Sequence, residues 1–149
     1  MRVAEFLAQH QVPFEKLLHP PAFTAQKRAH FLHLPGRHVA KSVLLAGPEG
    51  YFLAVLAATR HVNPDKLAQA LGGPVRLANE TEIARVFCDC EWGVVPPFGR
   101  LYGLPVVLDD ALEPGAEIVF ECNSHVEAVR MRCQDFERLE NPRRLSFAK

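Results

Sequence analysis

Two apolar runs, residues 39–46 and 51–58, limit how this chain can fold more than any other feature. Gly47-Pro48-Glu49-Gly50 joins them, which predicts a hairpin with a four-residue loop. Both runs are nearly continuous rather than alternating, as in strands covered on both faces. A chain of 149 residues has enough length for one domain but hardly two, so 1–149 is expected to be a single domain. A domain of that size buries roughly 70% of its unfolded surface and needs neither disulfides nor metal to fold.

The flanking segments set the fold class. Val3, Phe6, Leu7 and His10 recur at helical spacing, predicting a helix over 2–11. A short strand over 12–18 stops at His19-Pro20-Pro21. Thr24 can cap a helix over 25–33, which Pro35-Gly36 ends. Asn63-Pro64 opens another helix, closed by Gly72-Gly73. Asn79 and Glu82 have capping-box spacing and start a short helix reaching Phe87. Strands are expected over 106–109, 117–121 and 126–132, then a helical turn over 135–139 and a loose tail after Pro142. Hairpins outnumber crossover units, so the expected class is α+β with a curved, mostly antiparallel, barrel-like sheet flanked by helices.

Composition narrows the functional classes. Hydrophobic residues make up 48% and charged residues 23%, the profile of a soluble globular protein. Lys and Arg (17) balance Asp and Glu (17), so no global basic field points to an extended nucleic-acid surface. Gripping a single nucleotide end stays open. The opening MRVAEFLAQHQ is amphipathic and acidic, unlike a signal or transit peptide. No apolar run has the ~18–20 residues of a membrane span. Cys88, Cys90, Cys122 and Cys133 lack disulfide-framework spacing and are expected to be free thiols, with the cytoplasm as the default location.

Lys41 is the first candidate for chemistry. In residues 39–46 only Lys41 and Ser42 are polar, and a buried ammonium must reach a partner or a cavity. Taken alone, the pattern fits a structural lysine that snorkels or pairs with a carboxylate better than a site lysine. The second candidate is Gly93-Val94-Val95-Pro96-Pro97-Phe98-Gly99. Glycine lets backbone approach a ligand, prolines hold it rigid, and free N–H groups can donate to an oxyanion. A plain rigid turn is the alternative. His30 with His33 and Cys88 with Cys90 do not extend into four-ligand zinc spacing, so no metal is expected. Asp109-Asp110 fits a solvated acidic pair, and no nucleophile elbow, phosphate loop or dinucleotide fingerprint is present. No cofactor is expected.

These features together resemble the YbaK / prolyl-tRNA synthetase-associated domain family of aminoacyl-tRNA deacylases. The likeness runs from His19 to Leu139. It is carried by His19-Pro20 with Thr24-Ala25, by Val39-Ala40-Lys41-Ser42-Val43-Leu44, and by the G-x-x-x-P loop running into Phe98-Gly99. Asp109 and the segment from Ser124-His125 to Asp135-Phe136 also fit. The resemblance implies a pocket for the terminal adenosine of tRNA and its attached amino acid, hydrolysed in trans. Lys41, Gly93 and Pro97 would then be catalytic, and Thr24, Ser42, Phe98, Gly99 and His125 would bind substrate. The implied partners are the acceptor end of misacylated tRNA and an aminoacyl-tRNA synthetase, with no membrane. The amino acid removed would be small, such as Ala, Ser, Thr or Cys. Two departures from the family pattern bear on the substrate: Pro96 replaces a small polar residue, and Asn123 replaces a turn glycine. A non-catalytic tRNA-end or synthetase-binding module and a small-molecule ester hydrolase are the rival functions.

Overall fold

The computed structural model describes residues 1–149. Helices are α1 (Val3–Gln9), α2 (Ala25–Phe31), α3 (Pro64–Leu71), α4 (Glu80–Val86) and α5 (Cys133–Glu140). Strands are β1 (Glu15–Leu18), β2 (Ala40–Gly47), β3 (Gly50–Ala57), β4 (Arg76–Leu77), β5 (Val106–Asp109), β6 (Glu117–Glu121), β7 (Glu127–Arg132) and β8 (Arg143–Leu145). They form two sheets, ordered β1-β7-β6 and β4-β2-β3-β5-β8. A parallel bridge between Val39 and Val119 links the two. The α+β class holds and most pairings are antiparallel, but β3–β5 and β5–β8 run parallel. The sheets do not close into a barrel.

The β2–β3 hairpin is the centre of the molecule. Its ladder runs from Ala40↔Ala57 to Gly47↔Gly50, so the turn is the two residues Pro48-Glu49 rather than four. Gly50 permits this with φ +115°, a conformation costly for other residues. Alternation then sends successive side chains to two cores. Leu53, Val55 and Ala57 join the larger core with Phe98, Phe120 and Phe136. Phe52, Ala54 and Leu56 join a smaller one with Leu67 and Phe147. A run buried on both faces is thereby explained.

Local chemistry sets the helix starts. The Thr24 side chain accepts the Lys27 N–H, and Asn63 accepts from Asp65 and Lys66. Asn79 and Glu82 complete a reciprocal capping box. No helix is long and apolar enough to cross a membrane.

Three expectations are corrected. The segment after Pro142 is not loose: β8 pairs with β5, and Phe147 and Ala148 are buried. Asp109 is no solvated carboxylate but is buried, accepting N–H bonds from Ala111, Phe147 and Ala148. Its desolvation is offset by those donors, which anchor the tail. Asn123, where the family has a turn glycine, is not in the left-handed conformation, and its buried side chain instead accepts the Val3 N–H at 2.9 Å at the start of α1.

Candidate active site

β2 is paired on its outer side only through Leu45 and Ala46, by β4. Beside its start lies a cavity of about 240 Å³. Lys41, Ser42 and Val43 form one wall, Gly93 and Val95 the second, and Thr24, Ala25 and Arg28 of α2 the third. Glu121 at the end of β6 and Phe23 complete it. Another cavity, of about 270 Å³, lies by the Pro48-Glu49 turn, at the opposite end of β2 from Lys41.

The Lys41 ammonium donates to the Arg60 carbonyl. Burial draws its pKa below the ordinary lysine value. It faces the cavity and has no carboxylate partner in an ion pair. Of the two structural roles open to it, pairing with a carboxylate is therefore not the one adopted. Gly93 adopts φ +85°, and its N–H donates to no acceptor in the chain. The Ser42 hydroxyl donates to the Val95 carbonyl at 2.5 Å, tying β2 to the loop. Thr24 both caps α2 and lines the cavity.

Other expected residues sit apart from that space. Phe98 is fully buried and makes edge contacts with Phe6, Phe120 and Phe136, so it is a core residue rather than a substrate-facing one. Gly99 is also packed away from the cavity. A Cβ there would stand 2.3 Å from the Leu104 carbonyl oxygen, so glycine is required by close backbone packing. Pro97 is buried outside the cavity lining, and its carbonyl accepts the Gly99 N–H at 3.1 Å. His125 lies behind the loop: its Nε2 is 2.7 Å from the Trp92 carbonyl, and its ring packs on Phe23.

Two charged cavity residues, Arg28 and Glu121, were not anticipated. Arg28 is 2% exposed, and its Nη2 lies 3.4 Å from Glu121 Oε1. Burial pushes the Glu121 carboxyl up to about 7, against the opposing pull of Arg28, His125 and the Val95 N–H. A signal for Arg28 was present: it sits between Ala25 and Ala29 on the helix stripe turned inward. Glu121 carried a weaker one, as the polar end of the apolar run Ile118-Val119-Phe120.

Residues 19–139 match the family described as the aminoacyl-tRNA editing domain. The chain belongs to that family. Within this editing domain, Lys41 and Gly93 both fall inside the matched residues, as does the rest of the cavity lining. Among curated relatives, the Proline--tRNA ligase of Trichlorobacter lovleyi is 33% identical over 76% of this chain and 20% of its own length. The Multifunctional Ser/Thr-tRNA deacylase ProXp-y of Escherichia coli is 30% identical over 68% of this chain and 61% of its own. The chain thus spans less than two thirds of these relatives' lengths. The fold of the editing domain recurs in solved structures. Hypothetical protein APE2540 superposes with a TM-score of 0.89 at 17% identity, covering 99% of both chains. A candidate trans-editing enzyme for prolyl tRNA synthetase gives 0.80 at 22% identity, covering 91% of this chain and 87% of its own.

Proposed function

We propose that residues 1–149 act as one free-standing aminoacyl-tRNA deacylase, cytoplasmic in location, that hydrolyses the ester of a misacylated tRNA in trans. The supporting observation is that Lys41 and Gly93, distant in sequence, line one small cavity inside the residues that match the editing-domain family. Its volume, about 240 Å³, is below the usual range for drug-sized ligands, which suits a small aminoacyl group such as Ala, Ser, Thr or Cys. The terminal adenosine would then lie at the mouth, and an aminoacyl-tRNA synthetase is the natural associate in proofreading.

The chemistry asked of the protein is modest, because an aminoacyl ester is already activated. Water adds to the ester carbonyl carbon, and negative charge builds on the carbonyl oxygen. The unpartnered Gly93 N–H is suited to that oxygen, and the Lys41 ammonium to the oxyanion or the terminal ribose. The bond to the ribose oxygen then breaks. The ribose leaves with one proton originating from the water, the amino acid leaves as its carboxylate, and the second proton passes to solvent. Lys41 is an electrostatic and positioning group here, while the neighbouring ribose hydroxyl relays a proton, taking one from the attacking water as it gives its own to the departing ribose oxygen. Such editing is needed because one methylene discriminates by only ~1–3 kcal/mol in a synthetase pocket.

A panel of tRNAs misacylated with Ala, Ser, Thr and Cys tests this. The wild-type chain should release at least one amino acid, and Lys41→Ala should slow release by about 100- to 1,000-fold with melting unchanged. A folded Lys41→Ala protein with the wild-type rate would remove Lys41 from the mechanism. Binding of the tRNAs without ester loss would make the chain a binding module instead.

A further inference from the structure

Glu121 is the single carboxylate in a cavity otherwise walled by two cations, Arg28 and Lys41. Its compensation is incomplete. Arg28 reaches only Oε1, at 3.4 Å, and the Arg28 Nε has no partner. The Glu121 side chain is 13% exposed, so water does little to stabilise its charge. Burial accordingly outweighs the combined pull of Arg28, His125 and the Val95 N–H and pushes the carboxyl up to about 7. A carboxylate left in that state at a cavity wall suits a cationic ligand group, whose arrival restores the ionised form.

The deacylase assignment supplies such a group. An aminoacyl ester carries one cation, the α-ammonium, on the carbon next to the ester carbonyl. Lys41 and Gly93 provide donors for the carbonyl side, and Glu121, at the end of β6, provides the one carboxylate in the lining. Resting on that assignment, we propose that Glu121 receives the α-ammonium of the bound amino acid, so that the cavity takes aminoacyl groups with a free amine and refuses N-acylated ones. An N-acyl group removes the charge and adds bulk to a space of about 240 Å³. The enzyme would therefore spare tRNA esters whose amine is blocked by formyl or peptidyl groups.

The test uses alanine joined to the 3′ position of adenosine through a non-hydrolysable amide, with the amine either free or acetylated. Calorimetry on the wild-type chain should show a preference of about 10-fold or more for the free amine, as expected for a charge-assisted contact. Glu121→Gln, with its melting temperature measured in parallel, should reduce that preference to about twofold or less. Equal binding of the two compounds by the wild-type chain, binding of neither, or a preference surviving in Glu121→Gln overturns the proposal. The wild-type comparison decides even if the variant does not fold. Alanyl- and N-acetylalanyl-tRNA hydrolysis separates the two assignments. Equal turnover of both defeats the amine contact and leaves the deacylase standing. Amine-selective binding with no release from any misacylated tRNA defeats the deacylase.

Discussion

Ser42 shows how much one side chain can hold in register. Its hydroxyl spans from β2 to the Val95 carbonyl at 2.5 Å, so the lysine strand and the glycine loop are joined by one bond. Ser42→Ala leaves that carbonyl without its donor and should cost about 1 kcal/mol of stability, as read by urea unfolding. A larger effect is expected on turnover, a fall of about tenfold in kcat/KM, because the loop would no longer be held against Lys41. An unchanged kcat/KM would mean that the loop is positioned by its prolines alone. Lys41 could not be assigned from its strand: a snorkelling lysine and a site lysine have the same local pattern. Its surroundings, a carbonyl partner and a cavity, exclude pairing with a carboxylate and support the proposed role.

Among the elements, the C-terminal segment departs furthest from expectation. A loose tail was expected after Pro142, yet β8 adds a parallel strand to β5. Asp109 accepts the Phe147 and Ala148 N–H groups at 3.2 Å each, and Phe147 fills the smaller core beside Leu67. Phe147→Ala should therefore cost about 3–5 kcal/mol in denaturant unfolding, the range for emptying a buried aromatic site. A loss below ~1 kcal/mol would mean that the tail contributes little to the folded state. Helix starts were legible beforehand because caps act within four residues: Thr24, Asn63 and Asn79 each accept the N–H groups that their spacing predicts. Tail docking was not legible, since its partner Asp109 is distant in sequence.

Across the whole molecule, two buried carboxyls set how stability follows pH. Burial pushes both Glu121 and Glu140 up to about 7 from an ordinary 4.5. The unfolded chain ionises these groups near 4.5, while the folded chain keeps its protons longer. The folded state therefore binds more protons between 4.5 and 7, and unfolding free energy falls as pH rises through that window. Each carboxyl contributes roughly 2–3 kcal/mol to that fall. Glu82 acts with the opposite sign at lower pH: bonds from Arg76 and Tyr51 hold it below the usual range, and that stabilisation is lost in acid. Urea unfolding at pH 5 and pH 8 should show a shallower decline for Glu140→Gln than for the wild type. Equal declines in the two proteins would contradict the assignment to Glu140.

Pattern and spacing were sufficient for the central hairpin and the helix caps, because each depends on residues close together in the chain, and for the α+β class and the family resemblance, which are read from the order of such local segments along it. Contacts across the chain decided the contents of the cavity. Gly93 and Phe98 belong to one loop, yet the first lines the cavity and the second is buried among Phe6, Phe120 and Phe136. Arg28 and Glu121 come from a helix and a strand far apart in sequence, and only packing α2 against β6 brings their charges within 3.4 Å. Burial, and with it the cost of holding a charge, is a property of surroundings rather than of sequence position.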